Sequence, residues 1–197
     1  EFRRVLFRSI VLERIALDAH RAGQVIRRLR QFLRKRTPER ASVMINDLVR
    51  EVGQFVDADL RRRGIRMGVD LGQDLPPVLG DPIQLQQVLL NLVRNGCDAM
   101  LQTEIPRRSL MIRTRCHRDG ESVDVTVEDC GHGLSSNMND QLFDAFFSTK
   151  DEGLGMGLAI SRSIIESHGG QIWASSNLEG GASFHFSLPA IAEVCAP

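Results

Sequence analysis

An α+β fold, in which helices cover one face of a β-sheet, is predicted by three features of this 197-residue sequence. First, helical and strand-like segments are grouped, without the repeated strand–helix–strand alternation of a parallel α/β sheet. Second, two pairs of strand-like segments are joined by short turns that contain glycine, which is typical of antiparallel hairpins. Third, hydrophobic residues make up 42% and charged residues 25% of the chain, which is enough for a core and excludes a disordered or collagen-like chain.

The composition also limits the kinds of site that the chain can form. Basic and acidic residues number 25 each, but residues 1–66 are basic overall and residues 67–197 acidic overall, which favours two structural units. Four cysteines without a CxxC spacing favour unpaired thiols in a reducing, cytoplasmic setting. Five histidines without metal-ligand spacing argue against a zinc site. No apolar run is long enough to predict a membrane-spanning helix.

The N-terminal residues are expected to differ from the rest in origin and in packing. Residues 1–9 resemble the in-frame translation of a sequencing adapter, so we expect an assembly artefact and a natural protein that continues upstream. The alternative is an ordinary basic amphipathic start. Apolar residues recur every three or four positions over residues 10–36 and predict an amphipathic helix that ends at Thr37-Pro38. Its arginines are typical of a solvated face rather than of nucleic-acid binding.

Residues 37–43 are expected to form a linker, residues 44–190 one domain and residues 191–197 a tail. Some boundaries have a clear local signal, since Asp81-Pro82 supplies an N-cap and a first-turn proline to the helix that follows. From the N-terminus of the domain, the predicted elements are a helix over 45–63, strands over 65–71 and 78–79, a helix over 81–101, a hairpin of strands 109–117 and 122–128, a helix over 157–167, and a hairpin of strands 171–176 and 182–188.

The helix predicted over residues 81–101 has two different faces. One face is apolar and suits a core, whereas the other is polar throughout and consists of Gln84, Gln87, Asn91, Asn95 and Asp98. Exposure to solvent is one explanation of the polar face. A ligand site is the other, because asparagine is a weak helix former and its side-chain oxygen suits Mg²⁺.

Two further segments could carry chemistry. Asp129 follows a predicted strand and precedes Gly131 and Gly133, which allow a ligand to approach the backbone closely. Further along, Lys150 is the only lysine after residue 35, and it follows phenylalanines at positions 143, 146 and 147. These aromatic residues could instead form a hydrophobic plug that holds down a loop, with Lys150 incidental.

A glycine-rich segment, Gly153-Leu154-Gly155-Met156-Gly157, opens the helix predicted over 157–167. Backbone N–H groups at such a helix start can form an anion-binding cradle. The segment is not a P-loop, because GxxxxGK[ST] is absent, and it is not a dinucleotide-binding fingerprint, because no strand directly precedes it. It therefore indicates a phosphate-covering loop of another design.

In their order along the chain, these motifs and the Gly180-Gly181 turn resemble the N, G1, F, G2 and G3 boxes of sensor histidine kinases. The resemblance extends over about residues 43–189, and segments such as Phe147–Lys150 and Glu166–Gly170 are most similar to the FixL subgroup. It implies a Bergerat (GHKL-type) ATP-binding fold, which is a two-layer α/β sandwich. It also implies that residues 10–36 are the second helix of a dimerisation and histidine-phosphotransfer hairpin.

The resemblance implies a role for each motif in binding ATP and Mg²⁺. Asp129 would accept a hydrogen bond from the adenine amino group. Asn95 would hold Mg²⁺ on the phosphates with help from Asn91, and Lys150 would neutralise phosphate charge, so these three form the implied catalytic set. The other implied ATP-binding residues are Asp98, Gly131, Gly133, Gly153, Leu154, Gly155, Met156, Gly157 and Leu158. Ala182 departs from the pattern, because many family members carry threonine there.

The implied reaction is transfer of the γ-phosphoryl group of ATP to a histidine, and then to an aspartate on the receiver domain of a response regulator. Related GHKL ATPases have a water-activating glutamate where this sequence has Asn91, and an amide cannot serve as a base. Asn91 thus argues against the first alternative, a GHKL ATPase or serine kinase; the second alternative is a non-catalytic nucleotide-binding module.

The histidine that accepts the phosphoryl group is not expected among the five in this sequence. The family's acceptor lies on the first helix of the hairpin, whereas His20 lies on the segment that matches the second. His168 stands at a predicted helix end and is explained as a cap favoured by the helix dipole. We therefore expect the acceptor upstream of residue 10, on a hairpin that forms a homodimer, and we expect no nucleic-acid partner.

Overall fold

The structure is a computed structural model that describes residues 39–117, 120–134, 141–147, 155–177 and 180–191. All of these residues belong to the second of the two units into which the chain divides, Pro38–Pro197. The artefact predicted at residues 1–9 and the helix predicted over residues 10–36 lie outside the described residues. No helix in the described ranges is long and apolar enough to span a lipid bilayer.

The described chain contains three α-helices, seven strands and one 3₁₀ turn. In chain order they are β1 (Ala41–Val43), α1 (Ile45–Arg62), β2 (Arg66–Leu71), β3 (Val78–Gly80), α2 (Pro82–Ala99), the 3₁₀ turn (Ile105–Arg107), β4 (Ser109–Cys116), β5 (Ser122–Asp129), α3 (Gly157–Ser167), β6 (Gln171–Ser176) and β7 (Ala182–Pro189). The helices and strands predicted over residues 45–188 are confirmed, with ends that agree to within two residues.

Five strands form one mixed sheet in the order β2-β4-β5-β7-β6. The two predicted hairpins, β4–β5 and β6–β7, are antiparallel, and β5 also pairs antiparallel with β7. The edge strand β2 runs parallel to β4, which the sequence pattern did not predict. Helix α2 lies between these two strands in the chain and provides the long crossover that a parallel pair requires.

A second, two-stranded sheet forms where β1 pairs antiparallel with β3, with Val43 opposite Val78. Strand β1 lies within residues 37–43, for which the sequence predicted a linker, so ordered structure begins before residue 44. Three residues are too few to show the alternation of a strand, and β1 depends on a partner that is distant in the chain.

The helices pack on one face of the five-stranded sheet, as predicted. Inward side chains of adjacent strands, such as Ile112, Val125 and Phe186, are at most 1% exposed and belong to one cluster with Leu89 and Leu92 of α2. Burying each side chain of this kind stabilises the fold by about 1.5–3 kcal/mol. Polar residues alternate with the inward residues of β5, so the opposite face of that strand is polar.

Helix α2, which carries the polar face, is fixed at its first turn. The Asp81 carboxylate accepts hydrogen bonds from the N–H groups of Ile83 (2.9 Å) and Gln84 (3.3 Å), which confirms the predicted N-cap. The N–H of Asp81 donates to Nε2 of His168 (3.0 Å), the residue that caps the end of α3. The start of α2 is therefore joined to the end of α3.

Candidate nucleotide-binding site

Asp129 is the last residue of β5, and its side chain is held by backbone groups. The residue is 4% exposed, and its Oδ1 accepts hydrogen bonds from the N–H groups of Gly131 (2.8 Å) and Ala182 (3.3 Å). These donors come from the turn that follows β5 and from the start of β7. The carboxylate predicted to bind adenine therefore has a fixed orientation, set by two different segments.

Glycines allow three segments to approach Asp129. A Cβ added to Gly131 would lie 2.6 Å from the carbonyl oxygen of Ala99, and one added to Gly181 would lie 2.0 Å from the carbonyl oxygen of Asp129. A Cβ added to Gly96 would lie 3.2 Å from Cβ of Asp129. The end of α2, the turn after β5 and the β6–β7 turn thus converge on the carboxylate.

Asn91 joins helix α2 to the start of α3. Its Nδ2 donates to the carbonyl oxygen of Gly157 and to Oγ of Ser161 (3.0 Å). The backbones are close here, because a Cβ added to Gly157 would lie 2.8 Å from Oδ1 of Asn91. Asn91 is thus hydrogen-bonded to the helix that follows the glycine-rich segment.

Asn95 and Asp98 continue the polar face towards the end of α2. The Asn95 side chain is half-buried, and it has no hydrogen-bond partner among the described residues. Asp98 forms an ion pair with Arg63 at the end of α1, with Oδ1 and Nη1 3.5 Å apart. The structure thus places Asp98 in a contact between two helices, whereas the Asn95 amide makes no such contact with a described residue.

The phenylalanine segment and the end of the glycine-rich segment are in contact. Phe143 is 8% exposed and joins the core, whereas Phe146 is 72% exposed and has a positive φ of 69°. The N–H of Phe146 donates to the carbonyl oxygen of Gly155 (3.1 Å), and a Cβ on Gly155 would lie 2.4 Å from the carbonyl oxygen of Phe147. Of the three phenylalanines, Phe143 is therefore the one whose burial suits the alternative of a hydrophobic plug, while Phe147 is half-buried.

Other predicted site residues are placed less centrally or are not described. Met156 is buried directly before α3, and Leu158 packs against the core. Gly133 approaches the backbone of Gly181, and a Cβ on it would lie 3.2 Å from the Gly181 carbonyl oxygen. The predicted residues that lie outside the described ranges are Lys150, Gly153 and Leu154.

The described residues suit a metal that arrives with a ligand rather than a metal held by the protein alone. No group of three or more histidine, cysteine or acidic side chains in the described ranges could hold a metal ion. Mg²⁺ needs only one or two protein oxygens when phosphates and water complete its shell. The side-chain oxygens of Asn91 and Asn95, one turn apart on α2, meet that requirement.

Two cysteines of this region, Cys97 and Cys130, are held in contacts within the fold. Burial raises the pKa of the Cys97 thiol to about 11, so it stays protonated at neutral pH. The thiol of Cys130, next to Asp129, donates to the carbonyl oxygen of Arg107 (2.7 Å) and accepts from the N–H of Ser109 (3.1 Å). Cys130 therefore binds the start of β4 and the residues before it.

Helix α2 connects the predicted phosphate and adenine ends of the site. Asn91 contacts Gly157, and Gly96 lies over Asp129, at a separation of about 8 Å along the helix axis. Sequence reasoning found Asn91, Gly157 and Asp129 but missed Gly96 and Ser161. Gly96 follows Asn91 along α2, and Ser161 follows Gly157 along α3, so both positions could be read from the sequence. Their contacts could not, because they join segments that are distant in the chain.

This combination of fold and site defines the class of GHKL-type ATP-binding domains. The chain belongs to the histidine kinase-, DNA gyrase B- and HSP90-like ATPase family, which matches residues 80–192. Within that family it is similar to sensor histidine kinases. The Bradyrhizobium diazoefficiens sensor protein FixL is 45% identical over 184 residues, which are 92% of this chain and 35% of FixL. The Thauera aromatica sensor protein TdiS is 40% identical over 168 residues, which are 85% of this chain and 31% of TdiS.

Solved structures agree with this membership. The catalytic domain of histidine kinase ThkA matches with a TM-score of 0.68 and 31% identity, over 77% of this chain and 96% of that domain. ThkA in complex with response regulator protein TrrA matches with a TM-score of 0.73 and 27% identity, over 91% of this chain and 50% of ThkA. The predicted α/β sandwich is therefore confirmed, and it matches the fold of a histidine kinase catalytic domain. The chain spans about a third of the length of FixL and TdiS.

Proposed function

We propose that this chain supplies the ATP-binding catalytic step of a two-component sensor histidine kinase, in which the γ-phosphoryl group of ATP moves to a histidine. The observation that carries the proposal is the position of Asn91. Its Nδ2 is committed to Gly157 and Ser161, and an amide cannot remove a proton from water. The bound nucleotide would thus await a better nucleophile than water, which an imidazole provides.

The remaining residues would bind and orient the nucleotide. Asp129, held by the N–H groups of Gly131 and Ala182, would accept a hydrogen bond from the adenine amino group. Asn95, with Asn91, would hold Mg²⁺ on the phosphates, where the ion supplies positive charge to the transferring phosphoryl group. Lys150 would add a second positive charge. The other proposed contacts are those of Asp98, Gly133, Gly153, Leu154, Gly155, Met156, Gly157 and Leu158.

The partners follow from the same proposal. The histidine acceptor would lie on a helical hairpin whose second helix is residues 10–36, and two copies of that hairpin would form a homodimer. His168 is unsuited to accept a phosphoryl group because it is 6% exposed and both ring nitrogens are hydrogen-bonded. A response-regulator receiver domain would then take the phosphoryl group, as the recorded complex of ThkA with TrrA suggests by likeness. We propose a cytoplasmic setting for this reaction.

The first test measures nucleotide binding by calorimetry with a non-hydrolysable ATP analogue. The unaltered chain should bind the analogue more tightly with Mg²⁺ than with a chelator. Asp129→Asn should lower the affinity at least about tenfold, because it removes a charged hydrogen-bond acceptor. Asp124→Asn is the matched control, since Asp124 lies on the same strand but pairs with His117 on the other face of the sheet. Equal affinity of Asp129→Asn and the unaltered chain would contradict the proposed adenine site.

The second test identifies the acceptor. The chain should be mixed with Mg-ATP and a separately prepared histidine-containing hairpin of a sensor kinase, and the product should be an acid-labile phosphate on that hairpin. Release of inorganic phosphate alone would favour a GHKL ATPase, and an acid-stable phosphate would favour a serine kinase. Binding without any transfer would favour a non-catalytic nucleotide-binding module.

A further inference from the structure

Ser161 forms a closed hydrogen-bonded group with Asn91 and Gly157. Its hydroxyl is at the start of the second turn of α3, and the residue is 1% exposed. Oγ donates to the carbonyl oxygen of Gly157 (3.2 Å) and accepts from Nδ2 of Asn91 (3.0 Å), while Nδ2 also donates to the Gly157 carbonyl oxygen. We refer to these three residues as the Asn91 clasp.

The clasp determines which atom of the Asn91 amide faces which partner. The Gly157 carbonyl oxygen can only accept a hydrogen bond, and the Ser161 proton already points at it. If the amide were turned over, Oδ1 would face the Gly157 carbonyl oxygen, and the single Ser161 proton could donate to only one of these two acceptors. The nitrogen therefore stays on the α3 side, and Oδ1 is the atom of Asn91 that remains able to bind a cation.

We infer that Ser161 is a positioning residue for the magnesium–nucleotide complex: it fixes the Asn91 amide so that Oδ1 is presented to Mg²⁺, and it holds the start of α3 against α2. This inference rests on the function proposed above and assigns a residue to it. A serine that bonds the carbonyl oxygen four residues earlier is common in helices. Here the same hydroxyl also accepts from a side chain of the neighbouring helix, which a helix-internal role does not require.

The expected effect is specific to the metal-dependent part of binding. Ser161→Ala removes one of the two acceptors of Nδ2 and should reduce the Mg²⁺-dependent gain in affinity about three- to tenfold, the range for one neutral hydrogen bond. The affinity measured with a chelator should change less than about twofold, because the proposed adenine contact at Asp129 is intact. Ser161→Thr keeps the hydroxyl and should retain the gain.

The experiment titrates the 197-residue chain with a non-hydrolysable ATP analogue, once with Mg²⁺ and once with a chelator. Ser163→Ala is the matched control, because Ser163 is exposed on the same helix. Thermal melting of each variant shows that it is folded. An undiminished Mg²⁺-dependent gain in Ser161→Ala would overturn the inference, and so would an equal loss with and without Mg²⁺, since that result indicates general loosening.

A second readout needs no nucleotide and separates this inference from the proposed function. The side-chain amide resonances of Asn91 should shift in Ser161→Ala and remain unchanged in Ser163→Ala. Unchanged Asn91 resonances in Ser161→Ala would overturn the inference while leaving the proposed function intact. Absence of Mg²⁺-dependent binding in the unaltered chain would instead overturn the proposed function, and this inference with it.

Discussion

The imidazole of His168 connects two helices through both of its nitrogens. Nε2 accepts from the N–H of Asp81 (3.0 Å), and Nδ1 lies 2.8 Å from the carbonyl oxygen of Ile164, to which it donates. One nitrogen accepts and the other donates, so the ring in this geometry is neutral. The sequence predicted a helix cap, and His168 is the C-cap of α3, where its donation to Ile164 agrees with the dipole. The contact with Asp81, which is distant in the chain, was not predicted.

A prediction at this scale concerns the free energy of unfolding measured with urea. His168→Ala should lower it by about 1–3 kcal/mol, because the buried N–H of Asp81 loses its acceptor. His168→Gln should recover part of the loss, since its amide oxygen can accept. His168→Lys should be as damaging as alanine, whereas a dipole-favoured cap would tolerate lysine. His132→Ala, at an exposed position, is the control and should change the stability by less than about 0.5 kcal/mol.

Among the elements, the ends of α1 and α2 are joined by Arg108. Its guanidinium donates to the carbonyl oxygens of Arg63 (2.8 Å), Leu101 (3.1 Å) and Thr103 (2.8 Å). Carbonyl groups at the end of a helix lack partners within the helix and carry partial negative charge. One positively charged side chain therefore binds the end of α1 and the segment directly after α2 at once, next to the start of β4.

The corresponding prediction separates charge from geometry. Arg108→Lys keeps the positive charge but cannot donate three diverging hydrogen bonds. The free energy of unfolding should therefore fall by about 1–2 kcal/mol. Arg107→Lys, at the exposed neighbouring position, is the control and should be neutral. Thermal unfolding of both variants gives the comparison. Equal melting temperatures would show that the charge alone accounts for the contribution of Arg108.

The elements also show how far the sequence could predict this fold and site. Helix α2 and the two hairpins were predicted because hydrophobic periodicity and turn residues are local signals. Strand β1 and the parallel pairing of β2 with β4 were not, because they depend on partners distant in the chain. Within the site, Asn91 and Asn95 stood out as amides on a helix, and Asp129 stood out beside glycines. Ser161 did not, because an isolated serine in a helix has many ordinary explanations.

For the whole molecule, stability should depend on pH through the solvent-facing side of the sheet. His185 stacks on Trp173 with ring centroids 5.3 Å apart, and its ring nitrogens lie 3.0 Å from Oγ1 of Thr126 and 2.9 Å from Oγ of Ser175. Burial lowers the pKa of His185 below its usual value of 6.5, against weaker opposing effects of the carboxylates Glu128 and Asp124. The unfolded chain therefore takes up a proton at this residue more readily than the folded chain.

The expected outcome is a loss of stability as the pH falls. The contribution of His185 is fully present above the unfolded pKa of 6.5 and is lost progressively as the pH falls through that value towards the lower folded pKa. His185→Gln should reduce the slope of unfolding free energy against pH between about 7.5 and 5.5. An unaltered slope in His185→Gln would show that the ring is equally basic in the folded and unfolded chains.

The bond between Phe146 and Gly155 has a consequence for how related sequences can vary. The nitrogen of Phe146 and the carbonyl oxygen of Gly155 are 3.1 Å apart, so this hydrogen bond joins the residues on either side of positions 147–154. The entropy cost of closing a loop grows only slowly with its length, by about 0.6 kcal/mol for each doubling. Insertions between these anchors are thus thermodynamically inexpensive for the domain. Evolution can therefore lengthen or rewrite that stretch while the scaffold on either side keeps its stability.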